Sequence, residues 1–323
     1  MRTAEAIRLV AAARTDADLF GTDQPARRYR ELVAALHPDR LPADPAVRAK
    51  ATDAFVQVTT RWRARQVTIL GDYRLGRPAH SGDLADLYDV GDDRLLKLPR
   101  RPADNDLMAR EAHALRTIAE RGDPRYLPYV PRLVEEFRHR DAATGAERRI
   151  NVLATAPGLH DLDEVRRAYP DGLDARDVAW MWRRLLVALG LAHRAGVVHG
   201  AVLPPHVLIE PNGHGVVLAD WCFSVTGGGA VPALVPGHDD WYPPEVLKKQ
   251  PCGPGTDIAM ASRCMTWLMG RRAPRELLDF ARGCRQQSLQ KRPDDAWRLL
   301  RELDQVLDRL YGPRTFRPFT LTP

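Results

Sequence analysis

Near Arg65-Gln66 the spacing of apolar residues changes character, and that change constrains the fold more than any other feature of the chain. Before it, apolar side chains recur at helical spacing, with Tyr29, Leu32, Val33 and Leu36 on one face and Phe55, Val58 and Trp62 on another. After it, short aliphatic runs alternate with turn residues, as in Gly71-Asp-Tyr-Arg-Leu-Gly76 and Asp92-Asp-Arg-Leu-Leu-Lys-Leu98. A helical stripe and short strands bury their apolar faces by different packing, so an α+β chain is expected. Its boundaries are read as a helical domain over residues 1–66, a second domain over 67–312 and a tail over 313–323.

Composition permits this division. The length of 323 residues exceeds one usual domain of about 100–200 residues. Hydrophobic residues at 44% and charged residues at 28% supply ordinary core material, which argues against disorder. No apolar run approaches the ~20 residues that span a bilayer. The start Met1-Arg-Thr-Ala-Glu-Ala lacks a secretory core of about 7–15 apolar residues, so a cytoplasmic protein without a membrane partner is expected. Cys222, Cys252, Cys264 and Cys284 show no C-x-x-C spacing and read as reduced core residues. Residues 1–66 carry 12 Lys/Arg against 8 Asp/Glu within a whole-chain net charge of +6. That excess is scattered rather than gathered on one groove-facing element, which argues against nucleic acid as a partner.

In the first domain Pro25 suits an opening helical turn, and Pro38 removes an amide donor while pushing His37 out of helical dihedrals. A helix from Pro25 therefore ends near Leu36, and another starts after Asp44-Pro45. Two apolar stripes joined by a short polar loop make an antiparallel helical hairpin. The stretch Tyr29-Arg-Glu-Leu-Val-Ala-Ala-Leu-His-Pro-Asp-Arg40, with Ala54-Phe55 on the next helix, resembles the J-domain family. The resemblance implies that His37, Pro38 and Asp39 contact a heat-shock ATPase chaperone and stimulate its ATP hydrolysis. Two features depart from it. The short link from Leu19-Phe20-Gly21 to Tyr29 moves the expected first helix to Thr3–Ala13, and Glu31, Ala34 and Ala35 stand where relatives often place basic residues.

In the second domain, a helix around Leu107 to Ile118, a strand at Ile150 to Ala154 and a long amphipathic helix from Val178 to Ala195 are expected. This order and its motifs resemble the protein-kinase fold over about residues 70–310. The resemblance implies two lobes, the first small and β-rich, the second mainly helical. Lys97 in Leu95-Leu96-Lys97 then matches the strand lysine that grips nucleotide phosphates, and Glu111 its helical partner. Leu153, Ala154 and Ala156 lie in the hinge-like Leu153-Ala-Thr-Ala-Pro-Gly158. The expected phosphate loop, Leu75-Gly-Arg-Pro-Ala-His-Ser-Gly-Asp83, offers Gly76 and Gly82 without tight glycine spacing, and Pro78 has no amide hydrogen for phosphate.

The expected catalytic stretch runs Val197-Val-His-Gly-Ala-Val-Leu-Pro-Pro-His-Val-Leu-Ile209. Where kinases place an aspartate base this chain has Ala201, where they place a lysine it has Leu203, and His206 stands in the place of the metal-holding asparagine. His199 keeps its position, and Gly200 replaces the arginine that reads a phosphorylated activation loop. Asp220 in Asp220-Trp221-Cys222 keeps the acid that would ligate magnesium, although the third position, normally glycine, is Cys222. Glu245 in Tyr242-Pro-Pro-Glu245, Asp257 and Arg292 match structural landmarks, with a Glu245–Arg292 ion pair expected. Between Met269-Gly270 and Ala273 the substrate-docking insertion is missing.

ATP and Mg2+ are thus the cofactors implied. The reading is a regulatory or scaffolding pseudokinase that binds a client or regulated protein. The alternative is an active protein kinase, or another phosphoryl or nucleotidyl transferase, with a displaced base at His206, His199 or Glu210.

Overall fold

The computed structural model describes residues 1–38, 44–65, 68–141, 145–154 and 156–321. The chain divides into two compact units, Met1–Pro78 and Ala79–Pro323. The boundary expected at residue 66 itself lies outside the described residues.

The first unit holds α1 (Thr3–Ala12), α2 (Asp16–Phe20), α3 (Pro25–Leu36), α4 (Pro45–Arg65) and a two-stranded antiparallel hairpin of β1 (Thr68–Leu70) and β2 (Tyr73–Leu75). Thr15 caps α2 by accepting from the Asp18 amide, and α3 begins on Pro25. Ala6, Val10, Leu19, Phe20, Leu32, Leu36 and Val58 form its buried core. Tyr29 stacks on Trp62 at 4.5 Å, and Phe20 meets the Trp62 ring edge-on at 5.1 Å. The expected apolar stripes of α3 and α4 thus meet, with α1 packed against both.

The second unit opens with β3 (His80–Ser81), β4 (Ala85–Asp89), β5 (Arg94–Pro99), α5 (Asn105–Arg121), β6 (Arg132–Arg140) and β7 (Glu147–Ala154). The strands form one antiparallel sheet in the order β3-β4-β5-β7-β6. Helix α5 lays a buried stripe of Met108, Glu111, Ala112, Leu115 and Ile118 toward this lobe's core. The second lobe holds β8 (His160–Asp161), α6 (Leu162–Ala168), α7 (Ala175–Arg194), β9 (Val197–Val198), β10 (Val207–Glu210), β11 (Gly215–Leu218), β12 (Val225–Thr226), α8 (Pro244–Leu247), α9 (Pro254–Met269), α10 (Arg275–Cys284) and α11 (Ala296–Tyr311).

Helix α7 is its axis, capped by Asp174 and buried around Trp182, Leu185, Leu186 and Leu189. Gly190 lets α11 come close, since a Cβ there would lie 2.5 Å from Trp297 Nε1. All four cysteines are buried and free, as expected. Only one short turn, Gly270–Arg272, separates α9 from α10, so the insertion missing from the sequence is replaced by no other element. Beyond α11 the chain folds back on this lobe, where Tyr169 Oη donates to the Thr320 carbonyl at 2.6 Å and Arg317 pairs with Asp177 at 3.3 Å. Among the described residues no helix is long and apolar enough to cross a membrane.

Candidate functional site

Three elements of the second unit converge on one ammonium. Lys97 on β5 and Asn151 on β7 are cross-strand partners, and α5 carries Glu111 above them. Lys97 Nζ donates to Glu111 Oε1 at 2.9 Å, to Asp220 Oδ1 at 2.7 Å and to Cys222 Sγ at 3.2 Å. Burial alone would lower the Lys97 pKa, but Asp220, Cys222 and Glu111 outweigh it and hold the ammonium well above its ordinary range. The pair expected from sequence is therefore formed around a charged ammonium. Asn151 completes it, donating to Glu111 Oε2 at 2.9 Å and to the Met108 carbonyl at 3.0 Å. One polar residue within the run Ile150 to Ala154 carries no sequence signal for this role.

Asp220 follows β11 in a left-handed backbone conformation, φ 60° and ψ 65°. Aspartate tolerates that region better than most residues, at a modest cost that is common in functional sites. Its other oxygen, Oδ2, faces His206 Nε2 at 3.2 Å. His206 Nδ1 in turn donates to the Ala201 carbonyl at 2.8 Å, and the ring stacks on Phe223. Both ring nitrogens thus face oxygen atoms. Although burial pushes the Asp220 pKa up, Lys97 and His206 outweigh it and hold the carboxyl well below the usual range.

The frame of the catalytic stretch is held from α9. Asp257 is fully buried and accepts from the His199 and Gly200 amides at 2.8 Å each, and from His193 Nε2 at 2.8 Å. His199 donates from Nε2 to the Ala219 carbonyl at 2.8 Å and accepts the Ala201 amide on Nδ1 at 3.2 Å. Burial pushes its pKa down to about 4, so it is neutral near pH 7. Gly200 has a backbone reason as well as the loss of arginine. Its φ is 78°, and a Cβ would sit 2.7 Å from the Phe223 carbonyl oxygen. Ala201 and Leu203 are both fully buried, so apolar groups occupy the positions of the expected base and lysine.

The displaced-base candidates are each tied into structure. His199 and His206 are committed as above, and Glu210 accepts the Asn212 and Gly213 amides at 2.9 and 2.6 Å, closing the turn after β10. The expected Glu245–Arg292 pair is bidentate and buried, at 2.6 and 3.0 Å, and Thr256 Oγ1 donates to Glu245 Oε1 at 2.9 Å.

Of the hinge residues, Leu153 is buried and paired with Leu95, Ala154 pairs with Arg94, and Ala156 is exposed. In the expected phosphate loop, Gly76 follows β2 in the first unit with nothing near its Cα that a side chain would meet. Gly82 donates its amide to the Ala85 carbonyl at 3.0 Å and so turns the β3–β4 hairpin. In the first unit His37 leaves α3 with extended dihedrals and meets the Phe55 ring edge-on at 5.9 Å. Pro38 follows it, and Asp39 lies outside the described residues.

A five-stranded sheet with one crossing helix, a helical lobe and the Lys97–Glu111–Asp220 constellation between them define a protein-kinase-like fold. Solved structures agree. The kinase domain of PknI from Mycobacterium tuberculosis, crystallised as a point mutant, superposes with a TM-score of 0.57 at 13% identity, covering 74% of this chain and 97% of that one. Myotonin-protein kinase is 29% identical over 113 residues in Homo sapiens and 28% identical over 113 residues in Mus musculus. These matches take in 34% of this chain and 18% of those proteins, so the chain spans under a fifth of the length of the curated relatives it matches. No family model matches.

Proposed function

We propose that the second unit is a regulatory pseudokinase, which binds a nucleotide and holds a client or regulated protein without transferring phosphate, and that residues 1–66 are a J-domain that couples it to a heat-shock ATPase chaperone. The observation that carries the first half is Ala201. Around it the loop frame is intact, from Asp257 to His199, yet the position that would take a proton from a substrate hydroxyl is a buried methyl group. A general base contributes roughly 10²–10⁴-fold, and methyl supplies none of it. Binding is favoured by the ordered, charged Lys97, which donates and cannot accept, and by the apolar Leu95–Leu153 ladder two residues along the same sheet face, a surface suited to a flat base.

The chaperone half rests on the resemblance of Tyr29 to Arg40 and on His37 standing at the end of a helix packed against its hairpin partner. Nucleotide binding is tested by thermal unfolding of the full chain with ATP, ADP or neither. A ligand at a hundredfold excess over its Kd stabilises by about 2.7 kcal/mol. The expected result is a nucleotide-dependent rise in Tm that Lys97→Ala abolishes. An unmoved Tm at every nucleotide concentration would remove the nucleotide-binding half.

A further inference from the structure

A kinase-like fold implies magnesium, but the donor set here does not suit it. Glu111, Asp220 and Cys222 are the described residues whose donor atoms converge closely enough to share one ion. The Lys97 ammonium already lies against all three, at 2.9, 2.7 and 3.2 Å. One of the three donors is a thiol, a soft ligand that magnesium disfavours. Asp220 could act alone, yet each of its oxygens faces a protein donor, Lys97 on Oδ1 and His206 on Oδ2. The second metal-holding position is His206 itself, whose nitrogens are spent on Asp220 and the Ala201 carbonyl. A divalent cation entering here would displace the contacts of Lys97 and His206 on Asp220 and meet the Lys97 ammonium at short range.

We propose that this cleft binds nucleotide phosphates without a divalent cation, the Lys97 ammonium supplying the positive charge and His206 occupying the position and the Asp220 oxygen that a metal would need. This rests on the nucleotide reading above and decides the metal requirement that reading leaves open. His206 is then a specificity-determining residue. It is carried on the short turn Pro204–His206 and fixed by the Phe223 stack, so its ring holds Asp220 before any ligand arrives.

The test is an equilibrium titration of the full chain with ATP, once in EDTA and once in excess magnesium chloride, beside a manganese(II) titration followed by paramagnetic resonance. The expected affinities agree within about threefold, under 1 kcal/mol, and no manganese binds in a manner that depends on Asp220. In His206→Asn, where Asp220 loses one donor and a metal-compatible amide appears, magnesium is expected to tighten ATP binding by about tenfold. Tightening of about tenfold or more in the unaltered protein would overturn metal independence while leaving nucleotide binding intact. Bound manganese that is lost in Asp220→Asn would overturn it too, whether or not ATP binds. If ATP binds in neither buffer, the nucleotide reading fails and this inference fails with it.

Discussion

His199 sits fully buried with one nitrogen donating and the other accepting, so its neutral form is built into the fold. An unfolded histidine takes up its proton near pH 6.5, whereas the folded one waits until about 4. Between those values the unfolded chain binds more protons, and stability falls as pH falls. The full shift corresponds to about 3 kcal/mol. We expect denaturant midpoints to drop across this window, and His199→Gln, which keeps the donor to Ala219, to flatten that limb. Asp220 contributes with the same sign, but at lower pH. Its folded pKa is depressed, so its stabilisation is present above the ordinary carboxylate value and is lost only at lower pH, outside the histidine window. Lys97, Glu111 and Asp220 were legible because their types and order match a known pattern. Asn151 and the His206–Asp220 contact were not, since each joins residues whose proximity only the folded sheet and loop create.

Between elements, two contacts carry predictions. Glu245 on α8 and Arg292 just before α11 form a buried bidentate pair. Removing either partner orphans a buried charge, so Glu245→Ala or Arg292→Ala should cost about 3–5 kcal/mol, while replacing both by apolar residues of similar volume should cost much less. Thermal unfolding of the single and double variants checks the difference. At the α7–α11 crossing, Gly190→Ala forces a methyl into the Trp297 ring and should cost about 1–3 kcal/mol, with partial rescue by Trp297→Leu. Element ends were legible where proline writes them: α3 runs Pro25–Leu36 and α4 begins at Pro45, as expected. Helix α1 ends at Ala12, one residue short of the expected Ala13. Helix α2 escaped notice because five residues are too few to show a period. Strand β6 escaped it because a register shift between Leu133 and Glu135 breaks the alternation that a strand otherwise prints in its sequence.

At the scale of the whole molecule, the proposed chaperone-directed unit precedes a kinase-like unit that keeps the loop frame and carries Ala201 at the position of the expected base. The first part predicts that the full chain raises the steady-state ATPase rate of a heat-shock ATPase chaperone and that His37→Gln does not. An equal rate with and without the chain would leave residues 1–66 as a helical hairpin of other purpose. The second part is the central claim, and γ-labelled ATP tests it most directly. Full chain incubated with labelled ATP and protein acceptors, with and without metal, should transfer no label to any acceptor or to itself. Transfer that disappears in the Lys97→Ala plus Asp220→Ala variant would contradict the account, because it would require a base that Ala201 cannot be.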